Sequence, residues 1–139
     1  MKVECFLDTN ILLYAALGNE GQPEKRRRSL ALLAEAKFGL SAQVLQEFYV
    51  NAVRKSQQPL SPLRALEWIE ELEKFPSVDI NSGLVKIAAE LSQRFQISYW
   101  DAAILAAAEQ LESAILYTED LNHGQTYGSV KVVNPFIPG

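Results

Sequence analysis

The chain has 139 residues, which allows one domain with a sizeable hydrophobic core and leaves no room for a second. Its net charge of −4 excludes nucleic-acid binding by bulk electrostatics alone, so such binding would need a local basic patch or metal ions. The single cysteine, Cys5, excludes an internal disulfide, and neither a signal peptide nor an apolar run of roughly 20 residues is present. We therefore expect a cytoplasmic protein without a membrane partner.

Short apolar segments alternate with amphipathic helical patterns along the chain. The predicted strands, in chain order, are residues 2–7, 38–42, 78–80, 114–117 and 130–134. The predicted helices are residues 11–17, 23–37, 42–57, 62–75, 82–95 and 102–111. This alternation predicts an α/β fold with a parallel sheet of four to five strands and helices on both faces. Cys5 lies in the first strand and is expected to be buried.

An aspartate follows directly after the first predicted strand. Asp8-Thr9-Asn10 separates this strand from the helix over 11–17. Ligands of open α/β sheets bind at the carboxyl ends of the strands, so a carboxylate there can point into a cleft. Asp8 could instead serve only as the N-cap of the helix that follows it.

The helix over 23–37 begins with a basic run, Lys25-Arg26-Arg27-Arg28. A run of this kind at a helix start is typical of a solvated helix face. The alternative is a patch that contacts phosphates.

A helical pair, about residues 43–75, is longer than a plain crossover between strands. Its first helix has an apolar stripe and, beside it, a polar row that carries Glu47 and Asn51. Glu47 is close to the N-terminal end, so it can reach the sheet edge. The pair is either a cap over the cleft or a surface for another protein. Core packing and an interface explain four of its large residues equally well: Tyr49, Trp68, Ile69 and Leu72.

Two further aspartates lie near the same predicted edge of the sheet. Asp101 opens the helix that leads into the fourth strand, and Asp120 follows that strand. Each has a purely structural alternative. Ser98 and Asp101 are spaced as in a capping box, and Asp120 can be a turn residue. Glu47 can likewise be a solvated helix charge.

Four carboxylates therefore converge at one predicted sheet edge: Asp8, Glu47, Asp101 and Asp120. They would repel one another strongly unless cations lay among them. Hard oxygen ligands without histidine or cysteine suit Mg²⁺ or Mn²⁺. The pattern thus predicts metal-dependent hydrolysis of a phosphodiester.

Four motifs in chain order resemble those of PIN domains, most closely the toxin ribonucleases of VapC type. They are Asp8-Thr9-Asn10, Gln46-Glu47-Phe48, Ser98-Tyr99-Trp100-Asp101-Ala102-Ala103-Ile104 and Tyr117-Thr118-Glu119-Asp120-Leu121. The resemblance extends over nearly the whole chain. It implies one PIN-like domain over residues 1–139, folded as a three-layer α/β/α sandwich with a mostly parallel central sheet.

The resemblance also assigns roles at the site. It implies Mg²⁺ or Mn²⁺ ligands, with the glutamate binding directly or through water: Asp8, Asp101, Asp120 and Glu47. It implies side chains that orient these carboxylates: Thr9, Asn10 and Thr118. Glu119 is an additional carboxylate and could replace Asp120 as the ligand. The implied activity is cleavage of single-stranded or looped RNA that leaves a 5′-phosphate and a 3′-hydroxyl.

An acidic protein that binds RNA needs local groups to hold the substrate. The candidates are basic side chains and the one histidine: Lys25, Arg26, Arg27, Arg28, Arg54, Lys55, Arg94 and His123. His123 follows Asp120 in a turn and is either a surface turn residue or a substrate contact. The resemblance further implies a small antitoxin that inserts a segment into the cleft, and a homodimer.

The main alternative is a non-catalytic module with this fold that binds RNA or a protein. Four crowded carboxylates argue against it, because without a metal they would only destabilise the fold. A haloacid dehalogenase type of phosphotransferase needs a second aspartate where this chain has Asn10. No glycine-rich nucleotide-binding motif occurs in the sequence.

Overall fold

The computed structural model describes residues 3–18, 21–54 and 57–138. These ranges contain the strands β1 (Cys5–Leu7), β2 (Phe38–Ser41), β3 (Ser77–Val78), β4 (Ile115–Tyr117), β5 (Thr126–Tyr127) and β6 (Val130–Val133). They contain the helices α1 (Thr9–Leu17), α2 (Pro23–Glu35), α3 (Ala42–Ala52), α4 (Pro62–Leu72), α5 (Ser82–Phe95) and α6 (Tyr99–Gln110). The predicted strand start at residue 2 and the candidate RNA contact Lys55 lie outside the described residues.

The six strands form one sheet in the order β3-β2-β1-β4-β6-β5. Neighbouring strands are parallel except for the antiparallel pair β5 and β6. The predicted α/β fold with a mostly parallel sheet is confirmed, but the sheet has six strands instead of four to five. The additional strand β5 is two residues long, too short for a sequence periodicity, and it pairs with β6 across a turn in which Gly128 has φ 62°.

The strand order reverses at the centre of the sheet. The chain runs outward from β1 through β2 to β3, and it then returns so that β4 lies on the other side of β1. Leu7 pairs with Tyr117, so the two central strands end side by side. In open α/β sheets the crevice at such a switch point is where ligands bind. The next residues, Asp8 and Thr118, leave the sheet at this crevice.

Side-chain caps fix the start of most helices. Five residues accept a backbone N–H of the first helical turn: Asp8, Ser41, Ser61, Asn81 and Ser98. Helix α6 begins at Tyr99, three residues before the predicted start, because Ser98 Oγ accepts the Asp101 backbone N–H at 3.1 Å. Of the two hydrogen bonds in the predicted capping box, the one from the Asp101 backbone N–H to the Ser98 hydroxyl is therefore present.

Helices α2, α3 and α4 end earlier than predicted, at Glu35, Ala52 and Leu72. Tertiary contacts explain two of these ends. The Ala52 carbonyl accepts the Leu60 N–H at 2.9 Å, so the chain turns back after α3. After α4, Phe75 leaves the helical path and stacks on Phe38 in β2, with the ring centroids 4.2 Å apart.

The core lies between the sheet and the flanking helices. Residues 102–108 of α6 are all buried, and their mostly alanine side chains let this helix pack closely against α5 and β2. Cys5 is 2% exposed, as predicted, and burial raises the pKa of its thiol to about 11. Leu72 is buried, so the interface reading of that residue is wrong. No described helix has both the length and the apolar character needed to cross a bilayer.

Candidate active site

Asp8 is a buried carboxylate fixed at both oxygens. It is the N-cap of α1, and its Oδ1 accepts the Thr9 N–H at 2.7 Å. Its Oδ2 accepts the Thr118 hydroxyl at 2.8 Å, while its own N–H donates to the Tyr117 carbonyl at 3.1 Å. The capping interpretation of Asp8 is thus correct in geometry. The second oxygen, however, faces the crevice between β1 and β4.

Burial makes this carboxylate hard to ionise. The pKa of Asp8 is raised to about 7, mainly by removal from water and to a smaller extent by the charges of Asp120 and Glu47. The two hydrogen bonds from Thr9 and Thr118 act in the opposite direction but do not cancel the effect of burial. A group of this kind is typical of a functional site.

Thr118 joins the ends of the two central strands. Its buried hydroxyl donates to Asp8 and accepts from the Asn10 side-chain amide at 3.2 Å and from the Asp120 N–H at 2.9 Å. One donor and two acceptor positions are all that a hydroxyl has, so Thr118 is fully used. It therefore fixes Asp8, Asn10 and the Asp120 backbone relative to one another.

Glu47 reaches the same crevice from the first turns of α3. Its Oε1 accepts the Thr9 hydroxyl at 2.7 Å, and its Oε2 accepts the Gln43 side-chain amide at 3.2 Å. Gln43 is 8% exposed and also donates to the Trp100 carbonyl at 3.3 Å. The sequence analysis missed Gln43. The signal was its position four residues before Glu47, which places both on one face of α3.

Asp101 and Asp120 complete the cluster. Asp101 lies in the first turn of α6, and Asp120 follows β4. Partial burial raises the pKa of Asp120, and so do the charges of Asp101, Glu119 and Glu47. The four predicted carboxylates thus lie in one electrostatic neighbourhood, as their positions at the strand ends suggested.

Glu119 points to a different set of partners. Its Oε1 accepts the Tyr14 hydroxyl at 2.6 Å, and its Oε2 forms an ion pair with Lys25, which also donates to Tyr14. The bond to Glu119 raises the pKa of the Lys25 ammonium. Both oxygens of Glu119 are therefore engaged, which favours Asp120 over Glu119 as a ligand.

The candidate RNA contacts are not gathered at the carboxylates. Arg27 pairs with Glu24 at 2.7 Å, Arg28 donates to the Pro135 carbonyl, and Arg94 lies over the Phe95 ring. Arg26 is half-buried, and Arg54 is exposed just beyond α3. In residues 3–18, 21–54 and 57–138, none of these side chains bonds to the four carboxylates.

His123 has a structural role in its turn. Its Nδ1 accepts the Asn134 N–H at 2.9 Å, which ties the loop after β4 to the end of β6. This hydrogen bond favours the turn interpretation over the substrate-contact interpretation.

The donor set suits a hard divalent cation. Carboxylate oxygens predominate, and the Asn10 Oδ1 is buried with no hydrogen-bond partner in the described part of the chain. Within that same part, no three histidine, cysteine, aspartate or glutamate side chains are already arranged as a ligand group. The chemistry of the residues present therefore fits a divalent cation.

Several solved structures have this fold. A toxin–antitoxin complex from Klebsiella pneumoniae is 22% identical, with a TM-score of 0.68, over 95% of this chain and 98% of the other. VapC20 from Mycobacterium tuberculosis, described as a sarcin–ricin loop cleaving toxin, is 18% identical, with a TM-score of 0.67, over 84% and 89%. VapBC2 from Rickettsia felis, bound to a fragment of its promoter DNA, is 19% identical, with a TM-score of 0.63, over 92% and 96%.

Comparison of the sequence with family models identifies the family of this chain. No curated protein sequence matches the chain significantly. The model of the PIN domain family, however, matches residues 5–128, which span β1 to the turn after β5 and include all four carboxylates. This chain therefore belongs to the PIN domain family.

Proposed function

We propose that this protein is a metal-dependent endoribonuclease that hydrolyses RNA phosphodiesters, and that it is the toxin of a toxin–antitoxin pair. One observation carries the proposal. A buried aspartate at the switch point of the sheet shares its crevice with the charges of Glu47 and Asp120. A carboxylate that is costly to ionise is retained where a bound cation compensates its charge.

The structural neighbours support the same activity. One of them is described as a toxin that cleaves the sarcin–ricin loop, and others are toxin–antitoxin complexes. Their identities of 18% and 22% establish the shared fold. For this chain we propose ribonuclease activity that depends on Mg²⁺ or Mn²⁺ and takes place in the cytoplasm.

The proposed ligands are Asp8, Asp101 and Asp120, with Glu47 binding directly or through water. A divalent ion held there lowers the pKa of a bound water and stabilises negative charge on a phosphoryl oxygen. Thr118 and Thr9 hold the carboxylates of Asp8 and Glu47 in fixed orientations. Gln43 fixes the second oxygen of Glu47, so three neutral side chains position the acidic ones.

Purified protein incubated with total cellular RNA tests this proposal. With Mg²⁺ or Mn²⁺ we expect discrete fragments that carry 5′-phosphates, and with chelator we expect none. Asp8→Asn should lower the cleavage rate at least about 100-fold, because the ion loses a ligand fixed by two hydrogen bonds. Cleavage by Asp8→Asn at the wild-type rate would overturn the assignment.

The chain offers a matched control. Asp79 is the one aspartate outside the cluster, and it is exposed after β3. Asp79→Asn removes the same charge and should leave cleavage within about 2-fold of wild type. RNA binding without cleavage under every metal condition would favour the non-catalytic module instead.

We also propose an antitoxin as the protein partner. A shallow apolar groove lies on the helical pair and is lined by Ala42, Leu45, Gln46, Tyr49, Val50 and Ile69. Beside it, α4 presents Glu67, Glu70 and Glu71. A partner segment with apolar side chains flanked by basic ones fits both features. We therefore infer that the helical pair is the antitoxin interface, and Val50→Glu should abolish binding of the antitoxin.

A further inference from the structure

Trp100 presents a large aromatic surface to solvent. It is 65% exposed, whereas the other aromatic side chains of the described ranges are buried or half-buried, apart from Phe75. Phe75 is 38% exposed and is already stacked on Phe38. An indole left in water forgoes much of the stabilisation that burial would give. Because the ring is exposed next to the candidate active site, it is free to contact a ligand.

The backbone of Trp100 is fixed to the carboxylate cluster. The residue lies in the first turn of α6, immediately before Asp101. Its carbonyl accepts the Gln43 amide at 3.3 Å, and the same amide binds Glu47. Gln43 thereby holds the indole-bearing turn at a set position relative to two of the carboxylates. The turn that carries the indole therefore lies beside the crevice.

One face of the indole is free to stack. The Tyr99 ring meets Trp100 at an interplanar angle of 85°, with the ring centroids 5.0 Å apart. An edge-to-face contact of this kind occupies at most one face of the indole. The exposed fraction of 65% agrees with an uncovered second face.

Charge alone is poorly suited to hold a nucleic acid here. The net charge is −4, and the crevice itself is acidic. Lys25 is paired with Glu119 and Arg27 with Glu24. Stacking on an aromatic ring needs no cation and is insensitive to the sign of the local field. It can therefore supply substrate affinity in an acidic site.

We propose that Trp100 is a stacking platform for an unpaired nucleobase adjacent to the phosphodiester that is cleaved. This inference rests on the proposed ribonuclease function and adds to it a residue that contacts the substrate. Bases inside a duplex already have both faces stacked, so the platform selects single-stranded or looped RNA.

Binding can be measured without catalysis. In Trp68→Phe the indole of Trp100 is the chain's one tryptophan, because the sequence has only these two. Trp68 is half-buried against Phe48, and phenylalanine retains that contact. Titration with a short unpaired RNA in chelator should quench the Trp100 fluorescence. A blunt-ended duplex of equal length should quench it far less.

Kinetics then separate binding from chemistry. Trp100→Ala should raise KM for the unpaired RNA roughly 5- to 150-fold and leave kcat within about 3-fold. Trp100→Phe keeps an aromatic face and should recover most of the lost affinity. The control is Leu63→Ala, which removes a side chain that is 69% exposed on α4 and should change neither constant.

The possible results distinguish a failure of the Trp100 platform from a failure of the proposed ribonuclease function. If no RNA is cut, the proposed function fails, and the fluorescence titration still decides whether Trp100 binds a base. If wild type cuts RNA while Trp100→Ala keeps its KM and RNA leaves the indole fluorescence unchanged, the platform is overturned and the ribonuclease stands. An equal rise of KM for unpaired and duplex RNA also overturns the platform.

Discussion

The hydroxyl of Thr118 shows how a single residue shapes the site. It holds one oxygen of Asp8 while the Thr9 N–H holds the other, so the carboxylate cannot rotate in its crevice. The same hydroxyl binds the backbone of Asp120. A neutral group thus positions two acidic residues without adding charge. The bond from Thr118 lowers the pKa of Asp8, but the burial of this carboxylate raises it by more.

That pKa makes stability depend on pH when no divalent ion is bound. The pKa of Asp8 is raised from 3.8 to about 7 in the folded state. Between these values the folded protein binds a proton that the unfolded chain releases. The free energy of unfolding should therefore fall as pH rises from about 4 to 7, by on the order of 3 kcal/mol from this group.

Urea denaturation of wild type and Asp8→Asn in chelator, at several pH values, measures this effect. Asparagine does not titrate, so the stability difference between the two proteins should change in favour of the variant as pH rises. Asp79→Asn, an exposed site, should follow wild type throughout. A difference between wild type and Asp8→Asn that stays constant from pH 4 to 8 would contradict the raised pKa.

Sequence patterns locate these residues only in part. The clustering of Asp8 and Asp120 was predictable because parallel strands bring their carboxyl ends to one edge. The choice between Asp120 and Glu119 was not, because it depends on Tyr14 and Lys25, which are distant in sequence. Gln43 was missed because its partner Trp100 belongs to another helix, 57 residues away.

At the scale of elements, a network of side chains ties the loop after β4 to two helices. Glu119 binds Tyr14 of α1 and Lys25 of α2, and Phe136 of the C-terminal segment packs edge-on against Tyr14. Leu121, next to Asp120, has φ 64°, a left-handed conformation that is strained for leucine. The network holds this loop in place next to the site.

Lys25→Met should lower the free energy of unfolding by about 1–2 kcal/mol. Methionine removes the ammonium that lies over the Tyr14 and Phe136 rings, and it leaves the half-buried Glu119 without its cation. Urea denaturation at pH 7 measures the loss. Lys74→Met breaks an exposed pair with Glu71 and should change stability by less than about 0.5 kcal/mol. Equal effects of the two substitutions would show that the network adds nothing.

The sequence predicted the positions of the helices and strands better than it predicted where they end. The N-cap of α6 was predictable from a local signal, because Ser98 and Asp101 are spaced as in a capping box. The ends of α3 and α4 depend on Leu60 and Phe75, which return to distant parts of the fold. Strand β5 is defined by its pairing with β6, and its two residues are too few to show a strand periodicity in the sequence.

At the scale of the whole molecule, we expect the chain to form a homodimer. Light scattering coupled to gel filtration at micromolar concentration should give twice the chain mass of 15.5 kDa. Helix α5 presents the exposed apolar side chain of Ile87, and we propose this helix as the dimer interface because Val50 of α3 lies in the groove proposed for the antitoxin. Ile87→Glu should therefore yield a monomer. A wild-type protein that elutes as a monomer refutes the dimer.

The bond between Asp8 and Thr118 also determines when the site can form during synthesis of the chain. The two residues are 110 positions apart, and the site does not exist until both central strands are paired. At about 5–20 residues per second, a ribosome needs roughly 5–20 s to make the intervening chain. During that time the nascent chain lacks its acidic centre. The acidic site can therefore assemble only after synthesis has passed Thr118.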